Sequence, residues 1–421
     1  MKPDSMTVDD LLTSAARARD AGDAVAERRL LDQALALAPD NPMILNACGM
    51  AALRGGDPAG ARRLFQAAAT RDRDQPALWI NVATACRALN DDAGEQGALE
   101  QALTIDRRNF MAQLRLAELH ERQGDAVAAA IGWSAVVQLA HAVEQKPPIV
   151  IDAQRRGEAF LSAHNRRIDA RLDALVGDKV ETMGDAARRF RACVDHSLGR
   201  RRIYTNQCAG LHYPFLPADE FFDRSHFPWL ADFEARTDAI AAEAIAMLRG
   251  AGPMIRPYVQ MDAGSPETKW SGLDGSLDWS ACFLWEYGVR NDPVCAACPE
   301  TAAALAAIPQ TNIPGKAPSA FFSILRPGAH IPPHTGVTNT RAIIHLPLVV
   351  PGGCRFRVGG ETREWRVGEA FAFDDTIEHE AWNDSDEIRI VLILDVWNPY
   401  LTTDEQQLLA AFFEAADTPV V

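Results

Sequence analysis

His334 lies on a Pro- and Gly-rich turn within HIPPHTGVTNTRAIIH, and His379 lies well downstream in DDTIEHEAWN, with His345 between them. Two imidazoles brought together from distant loops can hold a transition metal through their neutral ring nitrogens. The common non-haem iron arrangement adds a carboxylate two residues after the first His, as His-x-Asp or His-x-Glu. Here that position is Gly336. Taken singly, each of the three histidines is more often a hydrogen-bonded structural residue than a ligand.

Arg389 opens a strand that is otherwise apolar from Ile390 to Leu394. A guanidinium aimed into a barrel is costly unless it meets an anion. A dicarboxylate cosubstrate would supply one, gripped by the planar fork. An internal salt bridge to Asp374, Asp375 or Asp395 would satisfy it as well. Cys295-Ala-Ala-Cys298 also has metal-ligand spacing, but no second pair follows to complete a zinc site.

These residues need a rigid frame, and the text from about Trp270 reads as strands. SAFFSIL, RAIIHLPLVV, CRFRV, TREWRV, EAFAF and EIRIVLILDVW are short, β-branched or aromatic, and separated by PG, GG or Asp-rich turns. They predict a β-sandwich or jelly-roll barrel, with Val358-Gly359-Gly360-Glu361 as a hairpin turn. HYPFLPADEFFDRSHFPWL predicts a wrap around a domain edge, followed by an amphipathic helix from about Ala231 to Arg249. A capping box at Thr402 to Glu405 starts a final helix that runs to about Ala416.

The first third repeats itself. Gly22-Asp23, Gly56-Asp57, Asn90-Asp91 and Gly124-Asp125 advance by 34 positions each, as do Ala15, Gly49, Ala83 and Ala117. Ala34, Ala68 and Ala102 keep the same step. A 34-residue unit of two helices resembles the tetratricopeptide repeat, whose stacked pairs form a superhelix with a groove for peptides or partner proteins. The same repeats would also serve as a brace or a self-association surface.

Composition narrows the function classes. The chain has 421 residues, 48% hydrophobic and 24% charged, which suits two or three domains. Its net charge of −15 argues against nucleic-acid or anionic-membrane binding. MKPDSMTVDDLL lacks an apolar signal core and no apolar run is long enough to span a bilayer, so the expectation is a cytoplasmic protein without a membrane anchor. Eight scattered cysteines fit reduced thiols.

PPHTGVTNTR, IIHLPLVVP, GGETREWRVGEAFAFDDTIEHEAWN and IRIVLILDVWNP, in that order, resemble the aspartyl/asparaginyl β-hydroxylase family of iron(II)- and 2-oxoglutarate-dependent oxygenases. The likeness spans roughly residues 212–399, and the repeats resemble the helical domain that precedes the oxygenase domain in animal members. The resemblance implies an iron held by two histidines alone, His334 and His379, with Gly336 marking the vacant carboxylate position. It assigns Arg389 to the distal carboxylate of 2-oxoglutarate with Ser323 as hydroxyl partner, and His345 to the carboxylate nearest the iron. Animal members carry an Arg two residues before that His, where this chain has Ile343. Arg341, two positions further back on the same strand face, would reach the same carboxylate or serve the substrate.

Two neutral imidazoles and a doubly charged cosubstrate make ferrous iron net neutral, so metal binding should be weaker without 2-oxoglutarate. Asp374, Asp375 and Glu378 are candidates to hold the histidines in place, or are solvated turn residues. Trp365 and Trp382 are candidates to line the approach, or are core.

The expected architecture is multidomain: an all-α tetratricopeptide superhelix over 1–140, a helical linker over 141–205, and a double-stranded β-helix oxygenase domain with flanking helices over 206–421. The expected reaction is hydroxylation of an unactivated C–H, at the β-carbon of Asp, Asn or a related residue in a peptide presented partly by the repeat groove. The same chemistry on a small molecule or acyl chain, and a repeat scaffold with a silent ligand-binding barrel, are the alternatives.

Overall fold

The computed structural model describes residues 6–250 and 254–417. The chain divides into two compact units, Met1–Arg188 and Arg189–Val421.

The first unit is built of helical hairpins: α1 (Val8–Asp20) with α2 (Ala24–Leu37), α3 (Pro42–Arg54) with α4 (Pro58–Arg71), α5 (Pro76–Ala88) with α6 (Asp92–Ile105), and α7 (Phe110–Gln123) with α8 (Ala126–His141). First helices begin at 8, 42, 76 and 110 and second helices at 24, 58, 92 and 126, so the sequence period is the structural period. The turn signals explain why. Gly22, Gly56, Asn90 and Gly124 all have positive φ, between 55° and 80°, which glycine adopts freely and asparagine tolerates. The Asp that follows each one caps the next helix by accepting from the backbone N–H three residues on. The small residues of the same register are buried where helices meet; a Cβ on Gly49 would stand 2.6 Å from the Phe65 ring. The stack ends on the long α9 (Pro148–Met183), whose Ala153 packs with Leu114, Trp133 and Val136.

The second unit starts with α10 (Arg188–Ser197) and carries α11 (Leu230–Glu234), α12 (Thr237–Gly250), α13 (Asp292–Ala297), α14 (Pro299–Ala306) and the C-terminal α15 (Thr403–Asp417) around two antiparallel sheets. The strands are β1 (Arg256–Pro257), β2 (Trp279–Glu286), β3 (Val289–Arg290), β4 (Ala320–Leu325), β5 (His330–His334), β6 (Arg341–Val349), β7 (Cys354–Val358), β8 (Glu361–Glu364), β9 (Phe371–Phe373), β10 (His379–Asn383) and β11 (Arg389–Trp397). One sheet has the order β1-β2-β4-β11-β6-β9 with β3 beside β2, and the other has β5-β10-β7-β8. This is the two-sheet jelly-roll arrangement expected from the short strands.

Strand alternation separates two cores. On β11, Ile390, Leu392, Leu394 and Val396 join Ile344, Leu346 and Leu348 of β6 beneath Ile240, Ala244 and Met247 of α12. The opposite residues face inward: Arg389 and Val391 on β11, Ile343 and His345 on β6, Ser323 on β4. They meet Phe356, Val358 and Ala381 of the second sheet. The aromatic stretch before α11 wraps the edge of β9, where Phe221 bridges to Phe373 and the Phe222 N–H donates to the Ala372 carbonyl at 3.0 Å. Among the described residues no helix is long and apolar enough to cross a membrane.

Candidate metal and cosubstrate site

His334 closes β5 and His379 opens β10, and the two residues are direct partners in the antiparallel register. Their ring centroids are 4.0 Å apart. Metal–nitrogen bonds of about 2.1 Å place two imidazole ligands of one ion within roughly 6 Å of each other, so the spacing suits a shared ion. Each ring is oriented by a main-chain carbonyl: His334 Nδ1 is 2.8 Å from the Pro332 oxygen and His379 Nδ1 is 3.0 Å from the Ile377 oxygen. A proton on Nδ1 in each case leaves the Nε2 lone pair as the ligand atom. Burial disfavours the charged imidazolium, taking His334 down to about 4 and His379 well below the ordinary value. Both rings are therefore neutral at physiological pH, as metal binding requires.

The carboxylates near His379 do other work. Asp374 is fully buried and accepts from the Thr376 N–H, the Thr376 hydroxyl and Asn206 Nδ2, which shapes the turn before β10. Glu378 pairs with Arg357 at 2.9 Å. The expectation that one of these acids steadies His379 is replaced by backbone orientation. Asp375 occupies the other side of the site. A Cβ built on Gly336 would lie 2.0 Å from Asp375 Oδ2, so the volume beside the vacant ligand position already holds a carboxyl group from the facing loop. Burial raises that carboxyl to about 7. Among the described residues no group of three or more His, Cys, Asp or Glu forms a metal cage, and Cys295 and Cys298 are buried free thiols.

Arg389 is the decisive feature of the same cavity, which has a volume of about 520 Å³ and is also lined by His334, His345 and His379. Its residue exposure is 1%, yet among the described residues no carboxylate pairs with it. Nη1 donates to Ser323 Oγ at 3.3 Å, Nε has no partner, and the guanidinium lies 4.9 Å from the centre of the Trp365 ring. Burial lowers its pKa to about 10, which still leaves it charged at neutral pH. Asp395, one of the acids expected as an internal partner, is taken by Arg341 at 2.6 Å. Arg341 is therefore not a loose second grip on a cosubstrate; its charge is already matched at the far end of β11.

Ser323 accepts from both Arg389 and Trp279 Nε1, the latter at 3.1 Å, which leaves its O–H free to donate. His345 stands in a box of Phe356, Trp365, Phe371 and Phe373 with Nδ1 buried and unpartnered. Two orphaned polar atoms around a buried cation are what a bound dianion would satisfy. Trp365 lines this pocket, whereas Trp382 stacks on His330 away from it. Trp270, Trp279 and Tyr258 also line it, and sequence reasoning did not single them out.

Residues 234–399 match the family model described as aspartyl/asparaginyl beta-hydroxylase. This segment is similar to that family. The aspartyl/asparaginyl beta-hydroxylase of Homo sapiens is 42% identical over 135 residues, 32% of this chain and 18% of that protein. The ornithine lipid ester-linked acyl 2-hydroxylase of Rhizobium tropici is 34% identical over 192 residues, 45% of this chain and 64% of that one. The match thus spans about a fifth of the human relative and under two thirds of the rhizobial one. Among solved structures, the crystal structure of MamA protein is similar to the helical repeats with a TM-score of 0.30 and 14% identity, over 38% of this chain and 92% of that one. The repeat assignment rests on the helices themselves, and every site residue described above lies inside the hydroxylase-family segment.

Proposed function

We propose that this chain is an iron(II)- and 2-oxoglutarate-dependent oxygenase that hydroxylates an unactivated C–H, at the β-carbon of an Asp, Asn or related residue in a peptide or protein. The observation that carries the reading is Arg389: a buried, charged guanidinium without an anion, in the same cavity as two neutral, carbonyl-oriented histidines. A barrel that only scaffolds gains nothing from an unpaired buried cation.

When bound, ferrous iron and 2-oxoglutarate supply the oxidative chemistry, in which dioxygen, 2-oxoglutarate and a C–H become succinate, carbon dioxide and a C–OH. His334 and His379 would hold the metal through Nε2. Arg389 and the Ser323 hydroxyl would hold the distal carboxylate of the cosubstrate, and His345 would face the carboxylate nearest the metal. Phe356, Trp365 and Phe373 keep that end of the cavity dry, which strengthens each charge-assisted contact.

Anaerobic titration with iron(II) and 2-oxoglutarate tests the reading. A visible metal-to-cosubstrate absorption band, and succinate release on admission of air, are expected; both disappear in His334→Ala and His379→Ala. A protein that binds neither component under these conditions is a scaffold.

The repeats are proposed to present the peptide. Asn81 Nδ2 donates to Asn46 Oδ1 at 2.8 Å, and Arg115 bonds the Thr84 hydroxyl, giving a line of polar groups along consecutive first helices. The name of the rhizobial relative supports a second reading, with an acyl chain as substrate. Asn81→Ala and Arg115→Ala should slow a peptide reaction and leave an acyl reaction untouched. Eight free thiols support a cytoplasmic site of action.

A further inference from the structure

The cavity has two ends with different electrostatics. Arg389 and Asp395 both face inward on β11 but lie six residues, about 20 Å, apart along the strand. At the Arg389 end the cation is unpaired. At the Asp395 end every lining cation is already neutralised: Arg341 by Asp395 at 2.6 Å, and Arg256 by Glu286. Asp375 adds a further carboxyl group, so three acids stand against two guanidiniums there. Ile343, inward on β6 between Arg341 and His345, contributes no charge. Lys269, in the loop beside Trp270, gives its ammonium to the Pro333 carbonyl at 2.8 Å.

The remaining wall is aromatic. Tyr258 stacks on Trp279 with centroids 3.9 Å apart, and Phe283 and Phe321 continue the surface. Ring faces carry partial negative charge, which attracts cations and amide N–H groups and repels carboxylates. A carboxylate entering this end would be desolvated beside acids and π faces, with both guanidiniums that line it already paired to acids. A donor would find acceptors in place.

We propose that the Asp395 end of the cavity receives a substrate head that donates hydrogen bonds, an amide or a basic group, and rejects a carboxylate. The proposal rests on the oxygenase reading and narrows it, selecting Asn-like or basic targets over Asp. The full chain, loaded with iron(II) and 2-oxoglutarate in air, is offered the pentapeptides Gly-Gly-X-Gly-Gly with X as Asn, Gln, Lys, Arg, Asp or Glu. Succinate above the peptide-free blank and the added oxygen are both measured. At least one donor peptide should exceed Asp and Glu by about tenfold or more. Equal or greater turnover of Asp or Glu overturns the proposal, and so does indifference to all six. The absorption band and blank succinate report the oxygenase reading separately, so the two can fail independently.

Asp395→Asn frees Arg341 and should shift the Asp-to-Asn turnover ratio upward by about tenfold. Ile343→Arg, which sets a second guanidinium directly across the β6–β11 register from Asp395, gives that end a surplus cation and should move the ratio in the same direction if Asp395→Asn does not fold. An unchanged ratio in the variant that folds counts against the assignment.

Discussion

On the proposed oxygenase reading, Arg389 is a defect in the empty protein and an asset in the loaded one. Its removal as Arg389→Met should raise the stability of the ligand-free chain by about 1–3 kcal/mol, because a desolvated charge disappears. The same change should abolish the stabilisation by 2-oxoglutarate, which for the wild type approaches about 2.7 kcal/mol at a hundredfold excess over Kd. Chemical denaturation with and without cosubstrate reads both. His345 carries a pH signature. Burial and the nearby Arg389 hold its pKa well below the ordinary imidazole value. The unfolded chain therefore binds the proton first, and as pH falls below about 6.5 this residue costs stability by up to ~1.4 kcal/mol per pH unit. His345→Phe, in a box of aromatic rings, should flatten the acid limb of the stability curve between pH 6.5 and 5.5. Equal slopes would show that the ring is not buried as a neutral base. Arg389 was legible in sequence because a charge stands out at the head of an apolar strand, whereas His334 and His379, in a Pro- and Gly-rich turn and an acidic one, were assigned as a ligand pair only through the resemblance to the hydroxylase family. The Arg341–Asp395 pair was not, since it depends on which residues of β6 and β11 face one another.

Among the elements, the hairpins were the most legible, because each is specified locally. A left-handed turn residue, an Asp cap and a small contact residue recur together, and no distant partner is needed to read them. What the period hides is the exception inside it. Ala61 of α4 and Ala129 of α8 are buried small residues, while the equivalent places on α2 and α6 hold Glu27 and Glu95, paired with Arg54 and Arg122 of the next hairpin. Glu95 is 1% exposed and its pKa is raised by burial. Arg122→Met leaves that carboxylate alone and should destabilise the repeats by roughly 3 kcal/mol at neutral pH. A raised pKa means the folded state takes up the proton first, so acidification toward pH 5 should return part of the loss, as thermal melts at the two pH values would reveal. In the barrel, strand identity was legible from period-two text. The aromatic wall of Tyr258, Trp270 and Trp279 was not, because those residues come from an irregular segment and a strand whose partners lie far along the chain.

For the whole molecule, the sequence separates a helical first third from a strand-rich remainder, and the structure draws the boundary between compact units at Arg188 and Arg189, after the long α9. All residues proposed to hold the metal and cosubstrate fall between 323 and 389, within the second unit. Loading with iron(II) and 2-oxoglutarate should therefore slow amide hydrogen exchange in β5, β10 and β11 by the linkage stabilisation, while amides of α1 to α8 exchange as before. Protection that rises equally in the repeats would mean that the two units respond as one. The net charge of −15 repels a phosphate backbone and leaves the binding of a basic peptide electrostatically favourable.

The crowding of Asp375 against Gly336 means that positions 336 and 375 compete for a single volume. Grafting an acid onto position 336 alone is opposed, because the newcomer collides with the incumbent, whose side chain must move before the centre gains a third ligand. Only a paired exchange, Gly336→Asp together with Asp375→Gly, offers a conventional triad room to assemble, and the two single variants should each be poorer hosts for iron than the double.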